Sequence, residues 1–202
     1  MVDIKAAFAI FFEYALLASF AENVVLTRGI DSSSSLRIVS DRRISWILYA
    51  LLLTFMCAVS ALPLYLVNYL IRDWSYRYIF IPVLYVIMIS ATYFAVSLLV
   101  QNLFTKYARA ILKRLPFASF NCALFGGILV AGLRDYSLSQ TLGYALGTGI
   151  GYVFATVMIV EGMRRLELCD IPKAFKGLPI SLIYIGILSL ALYGLTGVWL
   201  VY

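Results

Sequence analysis

The chain has 202 residues, of which 63% are hydrophobic and 13% charged, with a net charge of +6 and no histidine. That apolar share is far above a soluble domain's and places the chain in a membrane. The missing imidazole excludes His-ligated haem, His-based triads and most zinc sites built on nitrogen.

Six apolar runs are long enough for spanning helices, which need about 20 residues each. They lie near 6–27, 45–67, 78–104, 116–133, 140–163 and 177–201. The expected fold is therefore an all-α integral membrane protein of six transmembrane helices in one domain, 1–202. No cleavable signal is expected, because the first run lacks a basic flank and an A-x-A-like site.

The first run carries Glu13, Glu22 and Asn23. A carboxylate in a spanning helix costs about 2.5–3.5 kcal/mol on insertion scales, so an ion or proton pathway is one reading of both acids. Pairing with a loop arginine such as Arg28 is the other, and Glu22 is expected near the cytoplasmic end of its span. The second run holds Cys57, read as a small buried apolar residue. The third ends in the polar pair Gln101 and Asn102.

The fourth run opens "LPFASFNCALFGG", with Asn121 directly before Cys122. An asparagine here can bridge helices or cap a broken one. A single thiol in a membrane helix is ordinarily packing; sulfur ligation needs further thiolates from another chain, since iron–sulfur clusters usually take four. The fifth run reads "GYALGTGIGY". Its Gly143, Gly147 and Gly151 recur every four residues and share a helix face, which suits close helix packing and leaves backbone open to a cofactor as the alternative. Cys169 follows in a loop and reads as a reduced cytoplasmic thiol. Cys57, Cys122 and Cys169 form no C-x-x-C, so a self-contained metal site is not expected.

Six spans place both termini on one side. The loops after the first, third and fifth runs carry 12 of the 16 Lys and Arg residues, against 4 for the N-terminus and the other loops. The positive-inside rule then puts both termini outside. The same distribution makes the net charge a topology signal rather than a nucleic-acid footprint. "SFAENVVL" in the first run and "SFNCAL" in the fourth align their Asn-x-x-Leu elements, Asn23 to Leu26 and Asn121 to Leu124. Three spans per half make this an inverted repeat, with halves near 1–105 and 106–202. Such repeats build their sites where broken helices meet near the midplane.

The stretches "ENVVL", "LPFASFNCALFGG", "RDYSLSQTLGYALGTGIGY" and "DIPKAFKGLPISLIYIGILSLALYGLTG" resemble the Rnf/Nqr family of membrane subunits, nearest the RnfA/NqrE type. The resemblance covers most of the chain and implies a six-helix inverted-repeat subunit in a bacterial cell membrane. It implies pairing with a homologous, oppositely oriented subunit of the RnfE/NqrD type, beside flavin-binding subunits. The whole would be a redox-driven Na+ or H+ translocase in which this chain is not a catalyst alone. It further implies a [2Fe–2S] cluster shared between the paired subunits, each giving two cysteines. One is the cysteine of the N-C-A motif, here Cys122 beside Asn121. The other lies in a G-x-C-like segment after the first span, where an ungapped reading puts Ser33, a far poorer iron ligand. An acid the family tends to carry near the end of the third span is replaced by Phe104.

Two other functions stay open. One is a diverged scaffold or ion-passage subunit without a cluster. The other is the substrate-binding membrane subunit of a vitamin transporter, for which no residue marks a ligand pocket.

Overall fold

The structure, a computed structural model, describes residues 4–31, 46–103 and 108–196. Every regular element among them is helical. Helix α1 spans Ile4–Leu16 and passes into one π-helical turn, Leu17–Ala21. Then follow α2 (Trp46–Leu70), α3 (Arg77–Leu103), the short α4 (Ala108–Leu112) and α5 (Leu115–Ser119), α6 (Cys122–Leu133), α7 (Leu138–Glu167) and α8 (Leu178–Thr196). The expected spans at 45–67, 78–104, 116–133 and 140–163 match α2, α3, α5 with α6, and α7 to within a few residues, whereas the first helix stops well short of the expected residue 27.

Four stretches are long and apolar enough to cross a bilayer by length and composition: 47–70, 77–103, 115–133 and 138–166. The first span fails that test because its helix stops after Leu16. The α8 stretch Leu178–Gly194 is apolar but shorter. Pro63 and Pro82 lie inside α2 and α3 without ending them.

Helix α7 is the axis of the packing. It lies against α1, α2 and α6. Its spanning stretch is 67% buried, against 28% for α3, whose outer face (Ile79, Val83, Val86, Phe94, Leu98) is exposed apolar surface suited to lipid. Glycines set the closeness of α1 and α7. A Cβ at Gly143 would overlap the Phe11 carbonyl oxygen, one at Gly147 would overlap that of Ala15, and one at Gly151 would lie 3.0 Å from that of Ser19. Both residue numbers rise together, so α1 and α7 run parallel and backbone meets backbone along the seam. Helix α6 reaches α7 through a short connection, which makes those two antiparallel neighbours. Gly127 of α6 faces Thr148 of α7 at a separation too small for any side chain.

Candidate functional site

Two spans are broken, and each break is organised by an asparagine. In the first span the π turn ends at Ala21 and the chain winds through turns to Asp31. Asn23 is fully buried there. Its Nδ2 donates to the carbonyls of Ser19 (2.8 Å) and Gly151 (2.9 Å), and its Oδ1 accepts from the backbone N–H groups of Val25 and Leu26, both at 3.0 Å. Both donors and both lone pairs are used. Ser19 adds a second tie, donating from Oγ to the carbonyls of Ala15 (2.7 Å) and Gly147 (3.0 Å). A broken membrane helix must re-satisfy the backbone groups it frees, and these side chains do so.

In the fourth span Pro116 stands in the first turn of α5, where its missing N–H costs nothing. The helix stops at Ser119 and restarts at Cys122, with Asn121 as the N-cap in extended backbone geometry. Asn121 Oδ1 accepts from the Ala123 N–H at 2.5 Å. Its Nδ2 donates to Asp31 Oδ2 (2.7 Å) and to the Tyr49 hydroxyl (2.6 Å). Tyr49 in turn donates to the Phe117 carbonyl, 3.1 Å away, on the α5 side of the break. The side chain of Asn121 thus joins the turn after the first span, α2 and the start of α6.

Glu22 lies beside Asn23 and makes the expected pair with Arg28, together with a second, unexpected one to Arg134. One carboxylate oxygen accepts from Arg134 (2.7 Å), the other from Arg28 (2.7 Å) and the Tyr144 hydroxyl (2.9 Å). Arg134 follows α6, in the connection that shares a side with the N-terminus, because α1 and α7 run parallel. The carboxylate therefore turns back toward the N-terminal side and not toward the other end of the span. Arg28 folds back with it, toward the side that holds the N-terminus. Around this clamp Arg134 also donates to the Tyr136 hydroxyl (2.8 Å), Gln140 Nε2 donates to the Tyr14 hydroxyl (3.1 Å), and the Tyr14 and Tyr136 rings meet edge to face at 4.9 Å. Two guanidiniums against one carboxylate leave Glu22 poorly suited to take up a metal cation.

Glu13 sits on the exposed face of α1, with no ion pair among the described residues. Gly143, Gly147 and Gly151 lie in the α1 seam, with no open space over their backbone. Ser33 and Phe104 lie outside the described residues. Cys122 is exposed at the first residue of α6, Cys57 is fully buried in α2, and Cys169 is exposed beyond the end of α7.

A [2Fe–2S] cluster of the implied kind asks this chain for two thiolates. Cys122 is the one thiol at a break. Cys57 is enclosed by the core, and Cys169 lies beyond the C-terminal end of α7. The group that reaches the residue before Cys122 is the Asp31 carboxylate, a hard oxygen donor where iron–sulfur chemistry asks for soft sulfur. No group of three or more Cys, Asp or Glu able to hold a metal occurs among the described residues. The residues present do not fit a pair of thiolates.

Asp31, Tyr49, Arg134 and Tyr144 complete both clusters and were not singled out from the sequence. A trace of the first exists: Gly29-Ile30-Asp31 has the G-x-C spacing with an acid in third place, two residues before the ungapped position.

Comparison with known proteins agrees with this architecture. The chain matches the family described as "Rnf-Nqr subunit, membrane protein" over residues 11–199. It is 27% identical over 180 residues to the A component of the Na(+)-translocating ferredoxin:NAD(+) oxidoreductase complex of Acetobacterium woodii, covering 89% of this chain and 93% of that one. It is 29% identical over 113 residues to the E component of the Na(+)-translocating NADH-quinone reductase of Proteus mirabilis, 56% of this chain and 57% of that protein. The corresponding component from Haemophilus influenzae is 34% identical over 86 residues, 43% of each chain. The chain thus spans about half the length of some relatives it matches and nearly all of another.

Proposed function

The chain belongs to the Rnf-Nqr family of membrane subunits, and from that premise we propose that it is one membrane subunit of an ion-translocating electron-transport complex. In this reading electron transfer is coupled to movement of Na+ or H+ across a bacterial cell membrane. The partners are a homologous subunit of opposite orientation, of the RnfE/NqrD type, and flavin-binding subunits. Both termini face outward. The observation that carries the reading is the family match over residues 11–199, joined to the two asparagine-centred breaks. Relatives named as subunits of Na(+)-translocating reductases supply the chemistry. The breaks supply what a continuous helix lacks, polar backbone and side chains inside the hydrocarbon layer.

A second reading, a scaffold or ion-passage subunit without a complete redox site, is favoured by the carboxylate at Asp31 and by Phe104 in place of an acid. Both readings place the chain in the same assembly. The test is affinity purification of the tagged chain from its native membrane, followed by mass spectrometry and Na+ uptake by proteoliposomes driven by NADH or reduced ferredoxin. Co-purification of flavin-binding subunits with electron-driven ion uptake is the expected result. A chain that purifies alone, or with an ATP-hydrolysing partner, would overturn the assignment.

A further inference from the structure

Asp31 has a place in the fold that its sequence position does not announce. It ends the turn that follows the first break, with backbone φ of +68° after Gly29 at +67°. A non-glycine residue in that region is uncommon, although aspartate tolerates it better than most. Two contacts fix the turn. The Ile30 N–H donates to the Val24 carbonyl at 2.9 Å, closing the turn on its own span. The Ile30 side chain lies over Gly126 of α6, where an added Cβ would sit 2.9 Å from its Cδ1. Gly126 is one helical turn beyond Cys122, so the Ile30 contact holds the turn against the start of α6. Asp31 Oδ2 then reaches Asn121 Nδ2 at 2.7 Å. Its negative charge sits by the N-terminal end of a twelve-residue helix, where the aligned backbone dipoles favour an anion. Tyr49 joins the same group through Asn121.

Resting on the family reading above, we infer that Asp31, and not Ser33, stands where the family's second thiolate would be, so that this chain offers the shared site one thiol and one carboxylate. The ungapped comparison reaches Ser33 by counting from the first span. That count runs past the turn in which Gly29 and Asp31 take positive φ, +67° and +68°. Counted within the turn itself, Gly29-Ile30-Asp31 meets the G-x-C spacing directly. The exchange changes the donor class. A carboxylate is a hard, single-charge oxygen donor and binds iron in a sulfide cluster far less well than thiolate does. Cys57 cannot replace it from the core, nor Cys169 from beyond α7. The site has given up the softness that holds a [2Fe–2S] centre.

The first test needs only the full chain. In a Cys169→Ser background, Asp31→Cys and Ser33→Cys are each treated with a short bifunctional thiol reagent, and linkage to Cys122 is read by peptide mass. Linkage of the Asp31→Cys thiol, with little from Ser33→Cys, is expected. Preferential linkage from Ser33→Cys would overturn the inference, whatever complex the chain belongs to. The second test uses the purified complex, with iron, acid-labile sulfide and EPR as readouts. Asp31→Cys is expected to raise the [2Fe–2S] signal per complex severalfold over the unaltered protein, while Ser33→Cys leaves it unchanged. A full-strength signal in the unaltered complex that is the same in Asp31→Asn would overturn the placement of Asp31. Absence of any partner subunit from the preparation would instead count against the family assembly, and the linkage result would stand apart from it.

Discussion

Truncating Asn121 would take one hydrogen bond from each of three groups: the Ala123 N–H, the Tyr49 hydroxyl and the Asp31 carboxylate. The lost cap alone is worth about 0.5–2 kcal/mol. Asn121→Ala should therefore lower the unfolding midpoint in detergent by several degrees, since about 1 kcal/mol moves it by roughly 2–4 °C in a chain of this size. Asn121→Asp is the sharper variant. Aspartate caps as well as asparagine, but here it loses both donors and faces Asp31 with like charge. It should be at least as damaging as alanine, and a variant as stable as the parent would show that the Asp31 contact does not exist. At Glu22 the expected result separates pairing from ion carriage. Glu22→Gln breaks two ion pairs whose arginine side chains are 30% and 45% exposed, so a loss of only about 1 kcal/mol follows. The concentration of Na+ or H+ that half-saturates transport should not move. A large shift in that concentration with unchanged stability would make Glu22 part of the ion path after all.

Among the elements, the α1–α7 seam is the most demanding. Gly147→Leu would drive a side chain into the Ala15 backbone, which even a Cβ overlaps. Overpacking typically costs about 1–3 kcal/mol, and a backbone wall cannot yield as a side chain can. The expected outcome is loss of folded protein on detergent extraction. Gly186→Ala in α8 is the control, because a Cβ there meets nothing within 4 Å, and it should be neutral or slightly stabilising. If both variants extract equally well, the seam is looser than the structure has it. The elements also show what local sequence carries. Runs of about 20 apolar residues announce α2, α3 and α7 through length alone. Pro116 and Asn121 announce the break between α5 and α6, because both act on residues next to them. The break in the first span has no such mark. No glycine or proline occurs from residue 6 to 27, and the π turn is anchored by Ser19 and Asn23 bonds to α7, 128 residues away. The direction of Glu22 was illegible for the same reason, since Arg134 and Tyr144 lie 112 and 122 residues further on.

For the whole molecule, charge predicts placement in the bilayer. A reporter fused after Tyr202 should signal from the outer side, and a cytoplasmic signal would reverse the orientation. Moving Arg28 out of the cytoplasmic set does not alter this expectation, because Lys106, Arg109, Lys113 and Arg114 after α3, and Arg164, Arg165 and Lys176 after or late in α7, carry the imbalance. The apolar exposure of α3 and the burial of α7 divide the molecule into a side suited to lipid and an axis that everything else leans on. Composition alone separates membrane from water but does not rank the helices, since α3 and the 47–70 stretch are about equally apolar and α3 is much the less buried.

The parallel seam also sets an order of events at the ribosome. Two helices that run parallel and touch backbone to backbone cannot be neighbours in synthesis, because the chain must cross the membrane and return between them. At about 5–20 residues per second, the roughly 130 residues separating α1 from its contacts on α7 take on the order of ten seconds to appear. Throughout that interval the first span waits with its glycine-matched face uncovered, Asn23 without Gly151 and Glu22 without Arg134. A nascent chain arrested before Leu138 would therefore carry the first span without any of its contacts to α7.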